Sequence, residues 1–130
     1  MELDEKPLPD PPPDFLIRAV MGARMKGKAA LDAAFPAEIV LFDWAASLPR
    51  LIIVGTLAAL RVPDLLEQGP LSADEIARRL ELDPDALHRS MRVCAANGLF
   101  SLRSDGSFEN NRLSRALLTG TPSRTRDFFE

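Results

Sequence analysis

The sequence has few of the residues from which catalytic and metal sites are built. Its 130 residues include one cysteine, one histidine, one tryptophan and no tyrosine. The single cysteine, Cys94, excludes an internal disulfide and indicates neither a metal cluster nor a secreted scaffold, so we expect a small core residue. The single histidine, His88, has no carboxylate or thiol at a spacing typical of a proton carrier, and we expect it to be structural. No metal site or complete catalytic site is therefore predicted.

Long apolar runs and an excess of basic residues are also missing. The longest apolar run without a charge extends from Leu51 to Leu60, about half the length that crosses a bilayer. The chain begins with acidic residues, whereas a signal peptide begins with basic ones. Lys and Arg number 16 against 19 Asp and Glu, and the formal net charge of -3 gives no general attraction to nucleic acid or anionic lipid. These features predict a cytoplasmic protein without a membrane partner.

The first half of the chain combines a proline-rich leader with long apolar helices. Residues 1–13 contain five prolines among acidic residues, a composition typical of an extended or disordered segment. Apolar residues at three- and four-residue spacing then predict a helix from Asp14 to a point before Pro36. The apolar stretch that follows predicts two more helices, with Pro49 in the first turn of the second, where proline is tolerated. Residues 14–61 have few polar positions, so we expect a second copy of the chain to cover part of them.

The second half changes character and follows the order of a winged helix. Its start, stop and turn signals are the capping box Ser72-Ala-Asp-Glu75, the helix start Asp83-Pro84, the helix stop Asn97-Gly98 and the hairpin turn Asp105-Gly106. In the capping box, the Ser72 hydroxyl is expected to accept from the amide of Glu75 while the Glu75 carboxylate reaches back. The order predicts a mainly α fold: a winged helix-turn-helix with a small β-ribbon, preceded by long helices.

Two segments of this half resemble a known family. They are Val62-Pro-Asp-Leu-Leu with its Gly69-Pro70 break and the helix Glu75-Ile-Ala, and Asp83-Pro-Asp-Ala-Leu-His-Arg with Gly98-Leu-Phe. From about residue 45 to 127 the chain resembles the N-terminal dimerisation and winged-helix region of S-adenosylmethionine-dependent small-molecule O-methyltransferases of bacterial secondary metabolism and plant phenolic pathways. The resemblance implies dimerisation helices at 14–61, a winged helix at 62–120 and the start of a linker helix at 121–130.

The sequence departs from the family pattern in its catalytic parts. The resemblance would imply a following Rossmann-type domain with a glycine-rich loop for the cofactor and a histidine general base. The seven glycines include no Gly-x-Gly, and the only histidine is His88. We therefore expect no catalytic or cofactor-binding residue here. S-adenosylmethionine would be bound by an associated catalytic domain or partner chain, and this chain would form a homodimer, or a heteromer with that catalytic domain, and a lid over a small aromatic or polyketide-type substrate.

Two sets of residues are candidates for these roles. Phe42 and Trp44 precede the helix that, by the resemblance, lines the mouth of the substrate pocket, and aromatic side chains suit flat ligands. The alternative for both residues, a place in the dimer core, stays open. The candidates for the dimer interface are Phe15, Leu16, Val20, Leu51, Ile52, Val54 and Leu57.

The winged-helix order also allows a different function, that of a transcription regulator. Arg89 and Arg92 on the second helix would then meet the major groove of DNA. However, Asp83 and Asp85 place two carboxylates at the end of that helix which would approach the bases. Residues 72–103 hold five basic and five acidic side chains, which is no footprint for phosphate contacts. DNA binding is therefore the less favoured hypothesis.

Overall fold

The computed structural model describes residues 12–121 and 125–129, except for the side chain of Phe128. The described residues confirm the predicted mainly α fold with one small antiparallel ribbon. The chain forms two compact units, Met1–Ala46 and Ser47–Glu130. Most of the predicted leader, residues 1–11, lies outside the described residues.

The first unit contains a long helix that buries none of its side chains. Helix α1 spans Asp14–Ala33, which confirms the predicted start and the end before Pro36. The carbonyl of Pro13 accepts from the amides of Leu16 and Ile17 and so begins the helical hydrogen-bond pattern. Every side chain of α1 remains at least partly exposed.

Helix α2 spans Ala37–Ala59 without interruption, so the prediction of two separate helices is wrong. Pro49 lies inside the helix, where its missing N–H removes one hydrogen bond of the helical ladder. Alanine and leucine, the strongest helix formers, surround this position as Ala45, Ala46, Leu48 and Leu51. Their preference offsets part of the cost of the proline, and the helix continues through it.

The second unit has the element order of a winged helix. After α2 it contains α3 (Val62–Leu65), a 3-10 turn (Leu66–Gln68), α4 (Ala73–Leu80), α5 (Pro84–Ala96), β1 (Ser101–Leu102), β2 (Phe108–Glu109), a second 3-10 turn (Ser114–Leu117) and α6 (Thr125–Phe129). The predicted helix-turn-helix and ribbon are thus confirmed. Residues 122–124, at the start of the expected linker helix, lie outside the described residues.

The helix caps form largely as the sequence predicts. The Ser72 hydroxyl accepts from the Glu75 amide at 3.2 Å, and the Asp83 carboxylate accepts from the Ala86 amide at 2.7 Å. The reciprocal half of the capping box is wrong, because the Glu75 carboxylate instead accepts from the Arg79 guanidinium at 2.7 Å. A charged donor one turn along the helix forms a stronger hydrogen bond to a carboxylate than a neutral amide does.

The core of the second unit joins the end of α2 to the winged helix. Its fully buried members are Leu57, Val62, Leu66, Ala73, Ile76, Ala77, Leu87, Met91, Cys94, Phe100 and Phe108. In the ribbon, Ser101 pairs with Glu109 and Leu102 with Phe108. On the side away from β1, the backbone of Phe108 forms two hydrogen bonds with the backbone of Leu71, at 2.8 and 3.0 Å. Phe108 therefore ties three chain segments together at the centre of this unit.

The ribbon turn is fixed by its own side chains. The Ser107 hydroxyl and amide both donate to the Asp105 carboxylate, at 2.6 and 2.9 Å. These hydrogen bonds hold the pKa of the Asp105 carboxyl below its ordinary value, and the one from the Ser107 hydroxyl has the larger effect. Gly106 supplies the left-handed conformation, with φ of 85°, that this turn requires. The predicted Asp-Gly turn is thus confirmed.

Candidate functional site

One side of α1 is an exposed apolar surface of the first unit. Residues three and four apart share one side of a helix, and the α1 apolar face defined in this way consists of Leu16, Val20, Ala23, Gly27 and Leu31. Leu16, Val20 and Leu31 are exposed, and the position of a Cβ on Gly27 is open space. Phe15, also predicted for the interface, is 73% exposed. Apolar surface of this extent is typical of a contact with another protein surface.

The interface candidates on α2 separate into two groups. Leu51 and Ile52 are exposed and remain available to a partner surface, while Val54 is half-buried and lines a cavity. Leu57 is 2% exposed and belongs to the core of its own chain. Leu57 is therefore a core residue, and we exclude it from the proposed interface.

The two aromatic candidates, Phe42 and Trp44, are both exposed on α2 in the first unit. Residues two apart on a helix do not face the same way. A flat surface that lies against one side of α2 therefore cannot contact both side chains to the same extent. Their role as a substrate wall stays a prediction.

Among the cavities that the described residues of the second unit line, two apolar ones have volumes of about 330 Å³ each. The first lies among α2, α5, the second 3-10 turn and α6, and Ile53, Val54, Val93, Leu113 and Phe129 are among its walls. The second, the α2–α5 groove, is lined by Ile52, Ile53, Thr56, Leu57, Leu60, Leu82, Asp83, Ala86, Leu87 and Ser90. Sequence reasoning did not find either cavity, because each is made by side chains that are distant in the chain.

A close approach of α6 to α2 closes one side of the first cavity. A Cβ built on Gly55 would lie 2.9 Å from the carbonyl oxygen of Phe129, a distance that requires one of the two helices to shift. Thr119 also holds α6. The Thr119 hydroxyl accepts a hydrogen bond from Arg126 Nη1 at 2.7 Å, and the Thr119 amide donates to the Asp64 carboxylate at 3.0 Å. Gly55 is thus required for the contact between α2 and α6.

We expect Gly55→Ala to displace α6. Alanine is favoured over glycine inside a helix by about 1 kcal/mol, so a variant without a steric conflict should be stabilised. Gly22→Ala on α1, where nothing lies within 4 Å, is the matched control and should raise the thermal midpoint. Gly55→Ala should instead leave the midpoint unchanged or lower it, and amide hydrogen exchange at residues 125–129 should accelerate. Equal stabilisation by both substitutions would contradict the contact.

Cys94 is the buried core residue that the sequence predicts. Burial raises the pKa of its thiol from 9.0 to about 11, because a thiolate is poorly solvated away from water. The neutral thiol is therefore stabilised in the folded state. This contribution is complete below pH 9 and is lost as the pH rises through about 11.

We expect Cys94 to resist thiol reagents in the folded chain. At pH 8 the modification rate with an aromatic disulfide reagent should follow the unfolding rate and should rise sharply in denaturant. Ser104→Cys, which adds a thiol in the exposed ribbon turn, provides the fast-reacting comparison. Immediate modification of the unsubstituted chain at pH 8 would rule out burial of the thiol.

The remaining polar candidates have structural contacts. His88 is half-buried, with its ring edge against Phe108 at a centroid distance of 6.3 Å. Within residues 12–121 and 125–129, no group of three His, Cys, Asp or Glu side chains could hold a metal ion. Arg89, a candidate for DNA contacts, lies 3.5 Å from the carboxylate of Asp85 on its own helix. These contacts do not favour a DNA-binding surface.

Helix α2 is also long and apolar enough to cross a membrane by length and composition. The sequence did not indicate this, because Pro49 was expected to divide the helix. Glu38, Asp43 and Arg50 lie along it, and its last turns pack Leu57 into the core of the second unit. Charged groups within a spanning segment are costly, so the helix is better suited to a protein partner.

Taken together, the winged helix, the long α1 without buried residues and the exposed side of α2 define an association domain. The chain belongs to the O-methyltransferase dimerisation domain family, whose model matches residues 53–120. This confirms the resemblance found in the sequence, and it does not favour the DNA-binding alternative.

Individual relatives are methyltransferases. An O-methyltransferase, tpcA of Aspergillus fumigatus, is 34% identical over 67 residues, covering 49% of this chain and 14% of the relative. The solved structure of the mitomycin 7-O-methyltransferase MmcR is similar, with a TM-score of 0.69, 28% identity and coverage of 78% of this chain and 30% of that chain. The riboflavin-derivative dimethyltransferase RosA from Streptomyces davawensis has a TM-score of 0.66, 26% identity and coverage of 73% and 28%.

A third solved structure shows ligands of such an enzyme. NcsB1, an O-methyltransferase from neocarzinostatin biosynthesis, was solved with S-adenosyl-L-homocysteine and 1,4-dihydroxy-2-naphthoic acid; its TM-score is 0.57 at 28% identity, with coverage of 62% and 24%. This chain therefore spans less than a third of the length of each of these relatives.

Proposed function

We propose that the chain forms a homodimer through α1 and the exposed side of α2. The observation that carries this proposal is that α1, 20 residues long, buries no side chain. Helices in proteins are stabilised mainly by packing one apolar face against other structure, and less by their intrinsic helix propensity. A second copy supplies the required covering surface, and twofold symmetry lets the same residues serve both copies. Phe15, Leu16, Val20, Leu51, Ile52 and Val54 contribute to this interface.

Light scattering coupled to size-exclusion chromatography tests the proposal. The chain should elute with twice the mass of one copy, 28.6 kDa against 14.3 kDa, at micromolar concentration. A well-folded monomer at that concentration would contradict the homodimer. Flotation with phosphatidylcholine and phosphatidylglycerol vesicles checks the apolar character of α2. Recovery of the chain with the vesicles would contradict the proposal that the exposed side of α2 contacts a protein partner. It would also contradict a cytoplasmic location of the chain.

The dimer is proposed to hold and cover a substrate pocket of an S-adenosylmethionine-dependent methyltransferase. The family assignment supports this role, as does the naphthoic acid bound by one structural relative. The cofactor and the reacting groups would belong to an associated catalytic domain or partner chain. The substrate is then a small aromatic or polyketide-type molecule. Calorimetric titration of this chain with S-adenosylmethionine should give no binding heat, and saturable micromolar binding would contradict this division of roles.

Phe42 and Trp44 are proposed as aromatic wall residues of that pocket, each contributing from its own side of α2. Both side chains are exposed, which is also what a dimer core would show in a single copy. Substitution with leucine separates the two roles, since leucine preserves apolar contact but not a flat ring. The double variant Phe42→Leu, Trp44→Leu should retain the mass of a dimer. A shift to monomer would assign these residues to the dimer core.

A further inference from the structure

Asp64 is a half-buried acidic residue with no part in the proposed interface or substrate pocket. It lies on α3 after Val62 and Pro63, which are both fully buried. The Pro63 carbonyl also accepts from the side-chain amide of Asn110 at 2.8 Å. These contacts fix the backbone of α3 within the winged helix, so the Asp64 carboxylate is attached to a rigid part of the domain.

The two oxygens of the Asp64 carboxylate have different surroundings. Oδ1 accepts from the Thr119 amide at 3.0 Å, across 55 positions of sequence. Oδ2 is buried and, within the part of the chain that the structure describes, has no hydrogen-bond partner. A buried oxygen without a donor is unfavourable. The hydrogen bond that this carboxylate does make goes to the segment that precedes α6.

That segment forms a β-turn from Leu118 to Thr121. The amide and the hydroxyl of Thr121 both donate to the Leu118 carbonyl, at 3.4 and 3.1 Å. Gly120, the third residue, has a positive φ of 77°, which is typical of a type II turn and favours glycine. The amide of the second residue takes no part in the hydrogen bond between the ends of such a turn. Asp64 is the acceptor for this amide, that of Thr119.

Thr119 also contacts the helix that follows the turn. Its hydroxyl accepts from Arg126 Nη1 at 2.7 Å. The same residue is thus bonded to α3 through its amide and to α6 through its side chain. Helix α6 supplies Thr125 and Phe129 to the walls of the first cavity, and the Phe129 carbonyl closely approaches Gly55. These contacts depend on the orientation of α6.

We propose that Asp64 is a positioning residue that sets the orientation of α6 against the winged helix, acting through Thr119. Helix α6 has five residues, too few to be stable by its own hydrogen bonds, so contacts from outside hold it in place. Both hydrogen bonds of Thr119 involve a charged partner, Asp64 or Arg126, and such bonds are stronger than neutral ones. In the proposed methyltransferase α6 begins the linker helix, so Asp64 also sets the direction of the linker, a consequence that rests on the proposed function.

Amide hydrogen exchange, measured for each residue by nuclear magnetic resonance, tests the proposal. Asp64→Ala removes the acceptor, and exchange at Thr119 and at residues 125–129 should accelerate at least about tenfold, as expected for the loss of one charge-assisted hydrogen bond. Asp64→Asn keeps an oxygen acceptor, and Oδ2 has no bond to lose, so its rates should stay within about threefold of the unsubstituted chain. Glu67→Ala removes an exposed acid from the adjacent 3-10 turn. It is the matched control and should leave these rates unchanged.

A second pair of variants separates positioning from general stability. Thr119→Val removes the hydroxyl but keeps the amide, so α6 should exchange faster while the amide of residue 119 stays protected. Thr119→Ser retains the hydroxyl and should restore the rates of α6. The amide of Phe108, which donates to the Leu71 carbonyl in the core, is the internal reference and should keep its rate in all of these variants.

The opposite results are equally defined. Faster exchange at Thr119 in Asp64→Ala, without a change at residues 125–129, would show that Asp64 holds only the turn. An equal acceleration at Phe108 would show a global loss of stability. Either result overturns the proposal.

If Asp64→Ala fails to fold by circular dichroism, the Thr119 variants decide. Faster exchange of α6 in Thr119→Val, but not in Thr119→Ser, supports the path from Asp64 through Thr119 to α6, and equal rates in the two variants overturn it. These measurements concern the interior of one chain, whereas the homodimer is tested by its mass. Either proposal can therefore fail without the other.

Discussion

Phe108→Ala is expected to destabilise the chain by about 3–5 kcal/mol, the usual cost of removing a buried aromatic ring. The ring is fully buried, at 0% exposure, and packs in the core with Met91 and Phe100. Its backbone also pairs with Leu102 on one side and Leu71 on the other. Domains of this size are stable by about 5–15 kcal/mol. The variant should therefore be largely unfolded or show a strongly lowered midpoint.

Urea denaturation followed by far-ultraviolet circular dichroism measures this loss. Leu102→Ala is the matched control, because Leu102 lies directly opposite Phe108 in the ribbon but is 45% exposed. We expect the control to cost about 1 kcal/mol or less, as half-exposed positions lose little apolar burial. Equal losses for both variants would show that the ribbon is not anchored through Phe108.

Ala23→Asp is expected to weaken dimerisation at least about 100-fold. Ala23 lies in the middle of the α1 apolar face, so an aspartate there would be buried without a partner in the dimer. An uncompensated buried charge costs several kcal/mol, and each 1.4 kcal/mol changes the dissociation constant about tenfold. Sedimentation equilibrium on a dilution series would give the dissociation constants directly.

Ala29→Asp is the control for this change. It introduces the same residue into the same helix, with the same change of charge and helix propensity, but on the side that carries Arg18 and Lys26. We expect its dissociation constant to remain within about threefold of the unsubstituted chain, as for an exposed surface position. Equal weakening by both variants would indicate a general effect of charge or helix stability and would argue against the α1 apolar face.

The second half of the chain could be predicted in detail because its signals are local. Asp83-Pro84 begins α5 and Gly98 follows its end, since caps and left-handed turns depend on residues adjacent in sequence. The Asp105-Gly106 turn formed for the same reason. The role of Leu71 as a third pairing segment was missed, because its partner Phe108 lies 37 positions away.

The sequence predictions were wrong where distant or competing interactions determine the local structure. Pro49 was expected to begin a helix, but it lies inside the continuous helix α2, where alanine and leucine residues surround it. Glu75 was expected to complete its capping box, but its carboxylate pairs with Arg79. Leu57 was grouped with the interface candidates because it is apolar, and only the structure shows that it belongs to the buried cluster that also contains Ile76 and Leu87.

The sequence by itself determined the order of elements after α2 and the winged-helix class, because caps, turns and apolar spacing act over a few residues. The family followed from the resemblance of two segments in the same half of the chain. The tertiary structure decided which apolar residues the chain covers itself, as with Leu57, and which it leaves exposed, as with Val20 and Ile52. That division depends on which helices meet in space, and apolar side chains of both kinds look alike in a sequence.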